Sequence, residues 1–256
     1  MQEKRPKVSV VMPLYNAEAY IEQAICSVKA QSMEDWELIV IDDGSSDASL
    51  EIAQAFAAED SRIQVLRNKQ NMGVSRTRNR GIALSRGEYI ALLDSDDVWY
   101  PEKLRCQLAR MAEEKADFCY SSYAIIGADG RKVKGDYLVP EQITFEELLR
   151  ENVFCCSSMI ARAEVFQKIG FREDFYHEDY VFGLQVLQDG YRAAGCKELL
   201  LGWRYIENSR SFNKVKSAQN RWRIYREYLK LPFVRSVSLF VSYTFAGLRK
   251  YGRKSR

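Results

Sequence analysis

Glycine and proline are scarce in this sequence, with 14 and 5 residues among 256. This scarcity excludes a collagen-like chain, a low-complexity segment and a long linker as the main state of the protein. The chain also contains no G-x-G-x-x-G sequence, so a dinucleotide-dependent oxidoreductase is not expected. Because 46% of the residues are apolar, a chain of this length can bury a real hydrophobic core. We therefore expect a compact folded domain.

Signals for export, disulfides or zinc binding are equally sparse. The six cysteines include no C-x-x-C pair, and the first six residues carry no apolar segment of the kind found in signal peptides. The apolar stretch near the C-terminus has only 13 residues between Arg235 and Arg249, whereas a membrane-spanning helix needs roughly 20. We expect reduced thiols in a cytoplasmic protein that does not cross the membrane.

Positive charge is concentrated at the end of the chain. Residues 210–256 contain 13 Lys and Arg and one acid, a net charge of +12, so the first 209 residues carry −9. A net acidic body without a recognition motif argues against nucleic acid as a partner. The basic, aromatic tail predicts an amphipathic helical extension over 210–256 that meets an anionic membrane surface, peripheral at the inner face of the cell membrane. A helix packed on the body with a solvated basic end is the alternative.

Short β-branched runs alternate with amphipathic stretches from Val8 onward. This rhythm predicts an α/β domain with a mostly parallel, Rossmann-like sheet flanked by helices. The predicted strands are residues 8–12, 38–41, 63–66, 89–93 and 118–125. The predicted helices are residues 21–28, a segment from 47 onward, 74–84 and 101–114. We expect Asn16 to cap the first of these helices.

The alternation fades after Gly135. The remaining patterns predict helices at residues 144–151, 163–169 and 178–188, with a short strand at 157–161. No internal repeat and no domain linker is visible. The sequence therefore predicts one domain over residues 1–209, followed by the basic extension.

Polar and turn-forming residues follow three of the predicted strands. They are Pro13, Tyr15 and Asn16 after the first strand, the segment 42–47 after the second, and the segment 94–97 after the strand at 89–93. In an open α/β sheet, ligands bind beyond the carboxyl ends of the strands. These segments are therefore the candidate binding residues.

The segment Asp94, Ser95, Asp96 and Asp97, called the acidic turn below, is the sharpest signal. Its three carboxylates repel one another unless a cation neutralises them. Mg²⁺ held by one or two carboxylates can dock the phosphates of a substrate. The alternative is ordinary turn and helix-capping chemistry, which also favours Asp.

As an ordered set, the motifs resemble a known family. The segments 8–16, 41–47, 71–81 and 93–97 are similar in order and spacing to the inverting glycosyltransferases of family 2, which have the GT-A fold. The resemblance covers residues 7–185 and implies a GT-A domain with a donor-binding half at 7–126 and an acceptor-side half at 127–209. It also implies a nucleotide-diphosphate-sugar donor, usually linked to UDP.

The resemblance assigns roles to individual residues. It implies that Tyr15 and Asp43 hold the uracil, that Arg78 lies near the uridine, and that the acidic turn holds Mn²⁺ or Mg²⁺ against the diphosphate. The predicted donor-binding residues are Pro13, Tyr15, Asn16, Asp43, Arg78, Asp94, Ser95, Arg210 and Lys214, and the predicted metal ligands are Asp94, Asp96 and Asp97.

A general base is expected on the acceptor side, because a sugar hydroxyl is a poor nucleophile until its proton is removed. The segment 177–180 is similar to the E-D motif of the family, which implies Asp179 as the base and Glu178 as its supporting neighbour. The alternative is that both acids only complement a helix N-terminus. His177 is the one histidine, but the family pattern uses the adjacent acid.

The basic tail extends the resemblance. Residues 209–214 and 221–226 look like the tail of family members that build bacterial cell-surface polysaccharides. Arg210 and Lys214 are predicted to close over the donor phosphates, with a solvated basic helix as the alternative. The sequence from Gln219 to Trp222 resembles the Q-x-x-R-W motif of processive synthases, but Gln219 is one residue too close to Trp222. This departure favours transfer of a single sugar to a glycan or lipid-linked acceptor.

Two other functions compete with this interpretation. Residues 90–98 also resemble the nucleophile motif of haloacid-dehalogenase-like phosphatases, although in that family the second acidic pair follows the motif, whereas here it precedes it. A catalytically silent module that binds a sugar nucleotide or a membrane is the other alternative.

Overall fold

Eight strands form one sheet in the computed structural model, which describes residues 5–206 and 214–252, with Lys214 and the last seven by their backbone alone. The strands are β1 (Val8–Leu14), β2 (Trp36–Asp42), β3 (Ile63–Arg67), β4 (Tyr89–Leu92), β5 (Val98–Trp99), β6 (Phe118–Ile126), β7 (Ile160–Arg162) and β8 (Ala193–Arg204). Their order in the sheet is β3-β2-β1-β4-β7-β6-β8-β5. The first four strands in this order are parallel, β7 is antiparallel to both its neighbours, and β6 and β8 are parallel to each other.

Helices cover both faces of the sheet. They are α1 (Ile21–Lys29), α2 (Ser49–Glu59), α3 (Val74–Leu84), α4 (Lys103–Glu114), α5 (Phe145–Arg150), α6 (Ala163–Ile169), α7 (Glu178–Gln188), α8 (Lys214–Arg223) and α9 (Phe233–Gly252). The predicted α/β fold with a mostly parallel sheet and a helical C-terminal extension is confirmed.

Strand β1 shows why its sequence is almost entirely apolar. Val8, Val10 and Met12 pack into one hydrophobic cluster with α1 and α4, whereas Val11 packs into a second cluster with α3, α6 and α7. Successive side chains of a strand point to opposite faces, so a strand covered on both sides needs apolar residues at every position. All seven residues of β1 are buried.

The start of α1 differs from the prediction. Asn16 does not cap this helix, which begins at Ile21 after Tyr20. Instead, Asn16 adopts a φ of 47°, and its Oδ1 accepts a hydrogen bond from the Ser46 N–H at 2.9 Å. The prediction was wrong because this Asn side chain bonds a neighbouring loop rather than the next helix.

The longest strand, β8, was not predicted. Its 12 residues include two exposed charged positions, Lys197 and Glu198, which interrupt the apolar pattern. The pairing of β8 with β6 shifts register between Ser121 and Tyr123, so part of the strand bulges away from the regular ladder. A broken pattern of this kind hides a strand from periodicity arguments.

The C-terminal extension packs on the body with one face. Ile224 and Tyr225, in a short π-helical segment between α8 and α9, are fully buried. The Tyr225 hydroxyl donates a hydrogen bond to the Leu149 carbonyl at 2.5 Å. The opposite side of α9 exposes an apolar stripe, which comprises Phe233, Val234, Val237, Val241 and Phe245. None of the helices in the described ranges combines the length and hydropathy that a membrane span requires.

Candidate active site

The predicted binding segments meet at one edge of the sheet. Strands β1 and β2 are parallel and in register, so that Leu14 lies beside Asp42. Strand β4 lies on the other side of β1, and the acidic turn follows it. The residues after these three strands therefore share the carboxyl edge, as expected for parallel strands.

Asp43 organises the loop that precedes α3. Its Oδ1 accepts hydrogen bonds from Asn68 Nδ2 at 2.7 Å and from the Met72 N–H at 2.8 Å, and its Oδ2 accepts from the Gly73 N–H at 2.8 Å. Gly73 adopts a φ of 88°, in the left-handed region that favours glycine. The buried carboxylate thus fixes the backbone at the start of α3. Its contact with a nucleobase stays a prediction.

The residues after β1 differ in exposure. Pro13 is buried within β1, where it lies beside Ile41 of the next strand. The Asn16 N–H donates to Ser45 Oγ at 3.0 Å and so joins the ends of β1 and β2. Tyr15 is 52% exposed at this edge. An exposed aromatic ring beside an ordered loop is suited to stacking on a planar base.

Buried Asp97 anchors the acidic turn to neighbouring segments of the protein. Its Oδ2 accepts a hydrogen bond from Ser157 Oγ at 2.5 Å, and its Oδ1 accepts from the Arg204 N–H at 2.7 Å. Both oxygens of Asp97 are therefore engaged by the protein. Asp94 and Asp96 retain partial exposure, and Ser95 between them is buried.

The electrostatics of the acidic turn suit a cation. Burial, and then the charge of Asp94, raise the pKa of Asp96 to about 6. Burial and the charges of Asp96 and Asp94 also raise the pKa of Asp97 well above its usual range. Within the described residues, no three or more His, Cys, Asp or Glu side chains form a ready-made metal cage. The donor set fits Mg²⁺ or Mn²⁺ bound by one or two carboxylates together with substrate phosphates.

Arg78 connects the acidic turn to the predicted base helix. This side chain of α3 is buried, with its Nη2 2.5 Å from Asp94 Oδ1 and its Nη1 2.6 Å from Glu178 Oε1. Burial opposes the charge on Arg78, but the carboxylates of Asp94 and Glu178 raise the pKa of Arg78 well above its ordinary value. One guanidinium thus holds together acids that are 84 positions apart in the sequence. The predicted contact of Arg78 with a uridine stays a prediction.

Helix α7 begins at Glu178, as predicted. Glu178 is buried, whereas Asp179 is half-buried. The Oδ1 atom of Asp179 accepts a hydrogen bond from the Tyr180 N–H at 2.7 Å. His177 precedes the helix, and its ring packs edge-on against Tyr176 with 5.1 Å between the ring centroids.

The charges of Asp179 and of the acidic turn act on the same buried thiols. Burial, together with the charges of the acidic turn and of Asp179, raises the pKa of the Cys155 thiol well above its usual range. For Cys156, burial and the charges of Asp94 and Asp179 have the same effect, although Arg78 opposes it. The acidic turn, Asp179 and the bridging Arg78 therefore form one electrostatic cluster.

Two residues that sequence reasoning missed hold this cluster in shape. Ser157 accepts a hydrogen bond from the Asp94 N–H at 3.0 Å and donates to Asp97. Arg204, at the end of β8, donates from Nε to the Asp96 carbonyl at 2.6 Å. Neither residue belongs to a motif, and no local signal marks them, because their role depends on which strands become neighbours.

Two predicted residues lie at the border of what the structure describes. Arg210 lies outside the described residues, and Lys214 is the first residue of α8, with its side chain outside them. Their predicted contact with donor phosphates stays a prediction.

Comparison with known proteins identifies the family. The sequence pattern described as "Glycosyl transferase family 2" matches residues 9–170. The chain belongs to this family. It is 34% identical over 250 residues to the putative teichuronic acid biosynthesis glycosyltransferase TuaG of Bacillus subtilis, covering 98% of this chain and 99% of the relative. It is 32% identical to the Escherichia coli UDP-Glc:alpha-D-GlcNAc-diphosphoundecaprenol beta-1,3-glucosyltransferase WfgD, covering 95% and 94%.

Solved structures of two other proteins share the fold. S. aureus TarS 1–349 in complex with UDP-GlcNAc superposes with a TM-score of 0.73 at 21% identity, over 93% of this chain and 71% of the 1–349 chain. The mannosyltransferase PcManGT from Pyrobaculum calidifontis, in complex with GDP-Man and Mn²⁺, superposes with a TM-score of 0.69 at 15% identity, over 99% and 77%. The predicted GT-A fold is confirmed, and the protein is a glycosyltransferase. Family membership rejects the phosphohydrolase interpretation.

Proposed function

We propose that this glycosyltransferase moves one sugar from a nucleotide-diphosphate-sugar to a hydroxyl of a lipid-linked saccharide, with inversion at the anomeric carbon, in cell-surface polysaccharide biosynthesis. The observation that carries the proposal is the Arg78 bridge between Asp94 and Glu178. The bridge joins the acidic turn, which is suited to a metal and a diphosphate, to the helix that bears the predicted base. A transfer between two substrates needs the donor and the base held at a fixed distance from each other.

The donor site comprises the carboxyl edge of β1, β2 and β4. Tyr15 stacks on the base, Asp43 accepts from it, and Pro13, Asn16 and Ser95 shape the surrounding backbone. UDP-GlcNAc in TarS and the UDP-Glc donor in the name of the E. coli relative favour UDP as the nucleotide. Arg210 and Lys214 add positive charge toward the phosphates.

Asp94 and Asp96 are the carboxylates that would hold Mn²⁺ or Mg²⁺, and Asp97, also predicted as a ligand, supports their turn. The Mn²⁺ in the mannosyltransferase of the same fold favours such an ion. When bound, the ion supplies positive charge that stabilises the departing nucleoside diphosphate. Ser157 and Arg204 hold the turn rigid, so the carboxylates do not need to reorganise when substrate arrives.

Asp179 is the general base, and Glu178 positions it through the Arg78 bridge. The acceptor hydroxyl oxygen forms a bond to the anomeric carbon while the bond from that carbon to the donor phosphate oxygen breaks. The hydroxyl proton passes to the Asp179 carboxylate, and the nucleoside diphosphate leaves with the electron pair. A single displacement on the opposite face inverts the anomeric configuration.

The acceptor is presented at an anionic membrane surface. Two observations support a lipid-linked acceptor, namely the diphosphoundecaprenol acceptor in the name of the E. coli relative and the exposed apolar stripe of α9. The stripe lies in an extension rich in Lys and Arg, which suits headgroups of negative charge. This arrangement corresponds to a cytoplasmic enzyme that is peripheral at the inner face of the cell membrane.

The substitution Asp179→Asn tests the proposal. We expect it to retain Mn²⁺-dependent binding of UDP-glucose or UDP-GlcNAc and to lose transfer to a synthetic N-acetylglucosaminyl diphosphate lipid by at least about a hundredfold, since a positioned base contributes roughly 10²–10⁴ in rate. Asp189→Asn, at the exposed end of the same helix, is the matched control. Normal turnover in Asp179→Asn would refute the base. Metal-dependent donor binding by the wild-type protein, with no hydrolysis and no transfer to any acceptor, would instead indicate a silent binding module.

A further inference from the structure

A cavity of about 430 Å³ lies between the start of α3, the segment that leads into α7, and helix α8. This volume falls within the range of roughly 300–1,000 Å³ typical of small-molecule sites. The residues that line it include Gly73, Ser75, Tyr176, Lys216, Asn220 and Arg223. We call it the α3–α8 cavity. None of the roles assigned above involves it.

Asn220 brings an unused hydrogen-bond donor to this cavity. Its Oδ1 accepts from the Tyr176 N–H at 2.9 Å, which fixes the orientation of the amide. Its Nδ2 is buried and has no hydrogen-bond partner among the described residues. Asn220 is only 4% exposed, so leaving a donor unpaired there costs free energy. An unpaired donor on a residue that lines a cavity is suited to a ligand atom that accepts a hydrogen bond.

The charges around the cavity favour an anionic ligand. Two acids line it, but each is held by an arginine: Glu173 Oε2 lies 2.5 Å from Arg76 Nε, and Asp174 makes two hydrogen bonds with Arg172. On α8, Arg223 is likewise paired, with its Nε 3.1 Å from Glu227 Oε2, so Lys216 supplies the additional positive charge at the cavity.

The start of α3 adds a further preference for negative charge. Gly73, Val74 and Ser75 line the cavity, and α3 is an 11-residue helix that begins at Val74. The first N–H groups of a helix have no partner within the helix, and the helix dipole is positive at this end. The Asp43 carboxylate already accepts from the Gly73 N–H, so the suitability of this terminus for a phosphate group depends on the N–H groups that follow Gly73. A Cβ added at Gly73 would meet no atom within 4 Å, so there is open space beside this backbone.

The cavity lies between the donor site and the extension. On one side the cavity is lined by Met72 and Gly73, whose backbone N–H groups bond Asp43. On another side it is lined by Phe175 and Tyr176, which precede Asp179 by a few residues. Helix α8, on the third side, leads toward the apolar stripe of α9. We propose that the α3–α8 cavity binds a phosphate group of the lipid-linked acceptor, with Asn220 Nδ2 as a direct donor to a phosphate oxygen. This assignment rests on the proposed function for the identity of the acceptor, but not for the phosphate chemistry.

The substitution Asn220→Asp tests the chemistry directly. It keeps the oxygen that accepts from the Tyr176 N–H, and it replaces the free amide donor with a negatively charged oxygen. Titration calorimetry with inorganic pyrophosphate, in buffer freed of divalent cations, avoids the acidic turn, because two carboxylates without a metal repel that probe. We expect Asn220→Asp to weaken pyrophosphate binding by at least about tenfold, which corresponds to about 1.4 kcal/mol.

Two further variants keep the test decisive. Lys216→Gln changes an exposed residue of α8, so it leaves the fold intact, and we expect it to weaken pyrophosphate binding and to reduce its salt dependence. Gln54→Glu adds the same negative charge on the exposed face of α2, and its affinity should stay within about twofold of wild type. Absence of pyrophosphate binding to the wild-type protein, or equal affinity in Asn220→Asp, would overturn the proposal.

The source of the phosphate is distinguished by two more probes. If the acceptor supplies it, Asn220→Asp weakens binding of farnesyl diphosphate by the same factor and leaves co-sedimentation with phosphatidylglycerol vesicles unchanged. Loss of vesicle binding with unchanged farnesyl diphosphate affinity would assign the site to lipid headgroups and overturn the acceptor role. Asp179→Asn should keep pyrophosphate affinity, so failure of the base and failure of this site are separate results.

Discussion

Replacement of Arg78 by Met tests the bridge at the centre of the candidate active site. The Arg78 side chain is 4% exposed, and so is that of its partner Glu178, whereas the Asp94 side chain is 31% exposed. The substitution leaves the buried Glu178 carboxylate without its partner. Breaking a buried ion pair in this way costs roughly 3–5 kcal/mol, and the partly exposed Asp94 adds at most about 1 kcal/mol. We expect the free energy of unfolding to fall by about 3–5 kcal/mol.

Urea unfolding at neutral pH measures this cost, and a double variant isolates its cause. Arg78→Met combined with Glu178→Met removes both charges and replaces them with apolar side chains, which is often neutral for stability. We expect the double variant to regain at least about 2 kcal/mol relative to Arg78→Met, a coupling typical of residues in direct contact. Additive costs of the two substitutions would refute the bridge as the source of the loss.

The double variant also separates stability from catalysis. Because it lacks the bridge, α7 is no longer tied to the acidic turn, and the base loses its fixed position relative to the donor. We expect kcat to fall more than the affinity for the nucleotide-sugar, since positioning acts on the transfer step. A wild-type kcat in a stable double variant would show that the bridge has no part in transfer.

Three other predictions address the rest of the molecule. Asp96→Asn should abolish the Mn²⁺ dependence of UDP-sugar affinity in calorimetry, whereas Asp129→Asn in an exposed turn should leave it unchanged. Val234→Ser with Val241→Ser should release the protein from anionic vesicles in a co-sedimentation assay, and equal sedimentation of both forms would contradict the membrane surface. Burial lowers the pKa of Lys103 to about 7, below its unfolded value of 10.5. The stability of the wild-type protein should therefore rise between pH 7 and pH 9 by about 2 kcal/mol relative to Lys103→Met, and parallel unfolding curves would exclude this effect.

The expected rise in stability with pH follows from proton linkage at Lys103. Between the folded pKa of about 7 and the unfolded value of 10.5, the unfolded chain binds the extra proton, so raising the pH favours the folded state. These two partners of the amine are uncharged. Its Nζ donates to Gln107 Oε1 at 2.5 Å and lies 4.1 Å from the Trp99 ring centroid, so neither contact supplies a negative charge that would offset burial.

The local sequence pattern was enough to predict the bounds of a helix or strand where its buried positions recur at a regular spacing. The bounds of α3, α6 and α7 agree with the predictions, and β1 and β2 each extend the predicted strand by about two residues at an end. In these elements the apolar positions follow the helical or strand period, so the sequence reports directly which face is covered. The bulged strand β8 breaks its period and was therefore missed.

The candidate site was partly predictable for a related reason. Parallel strands end at a common edge, so polar residues directly after β1, β2 and β4 had to lie near one another. The partners of Asp97 could not be predicted in this way, because Ser157 and Arg204 come from segments whose neighbours depend on the order of strands in the sheet. The Asn220 amide at the α3–α8 cavity has no sequence signal at all.

The sequence by itself determined the α/β character of this protein, the position of its acids at strand ends, and its family. These features depend on residues that are close together in the sequence, because their spacing controls local burial and turn formation. Only the tertiary structure decided that a single buried arginine joins Asp94 to Glu178, and that the basic extension packs one face on the body while exposing another. Contacts between residues far apart in the chain depend on strand order and helix docking, which are properties of the whole fold.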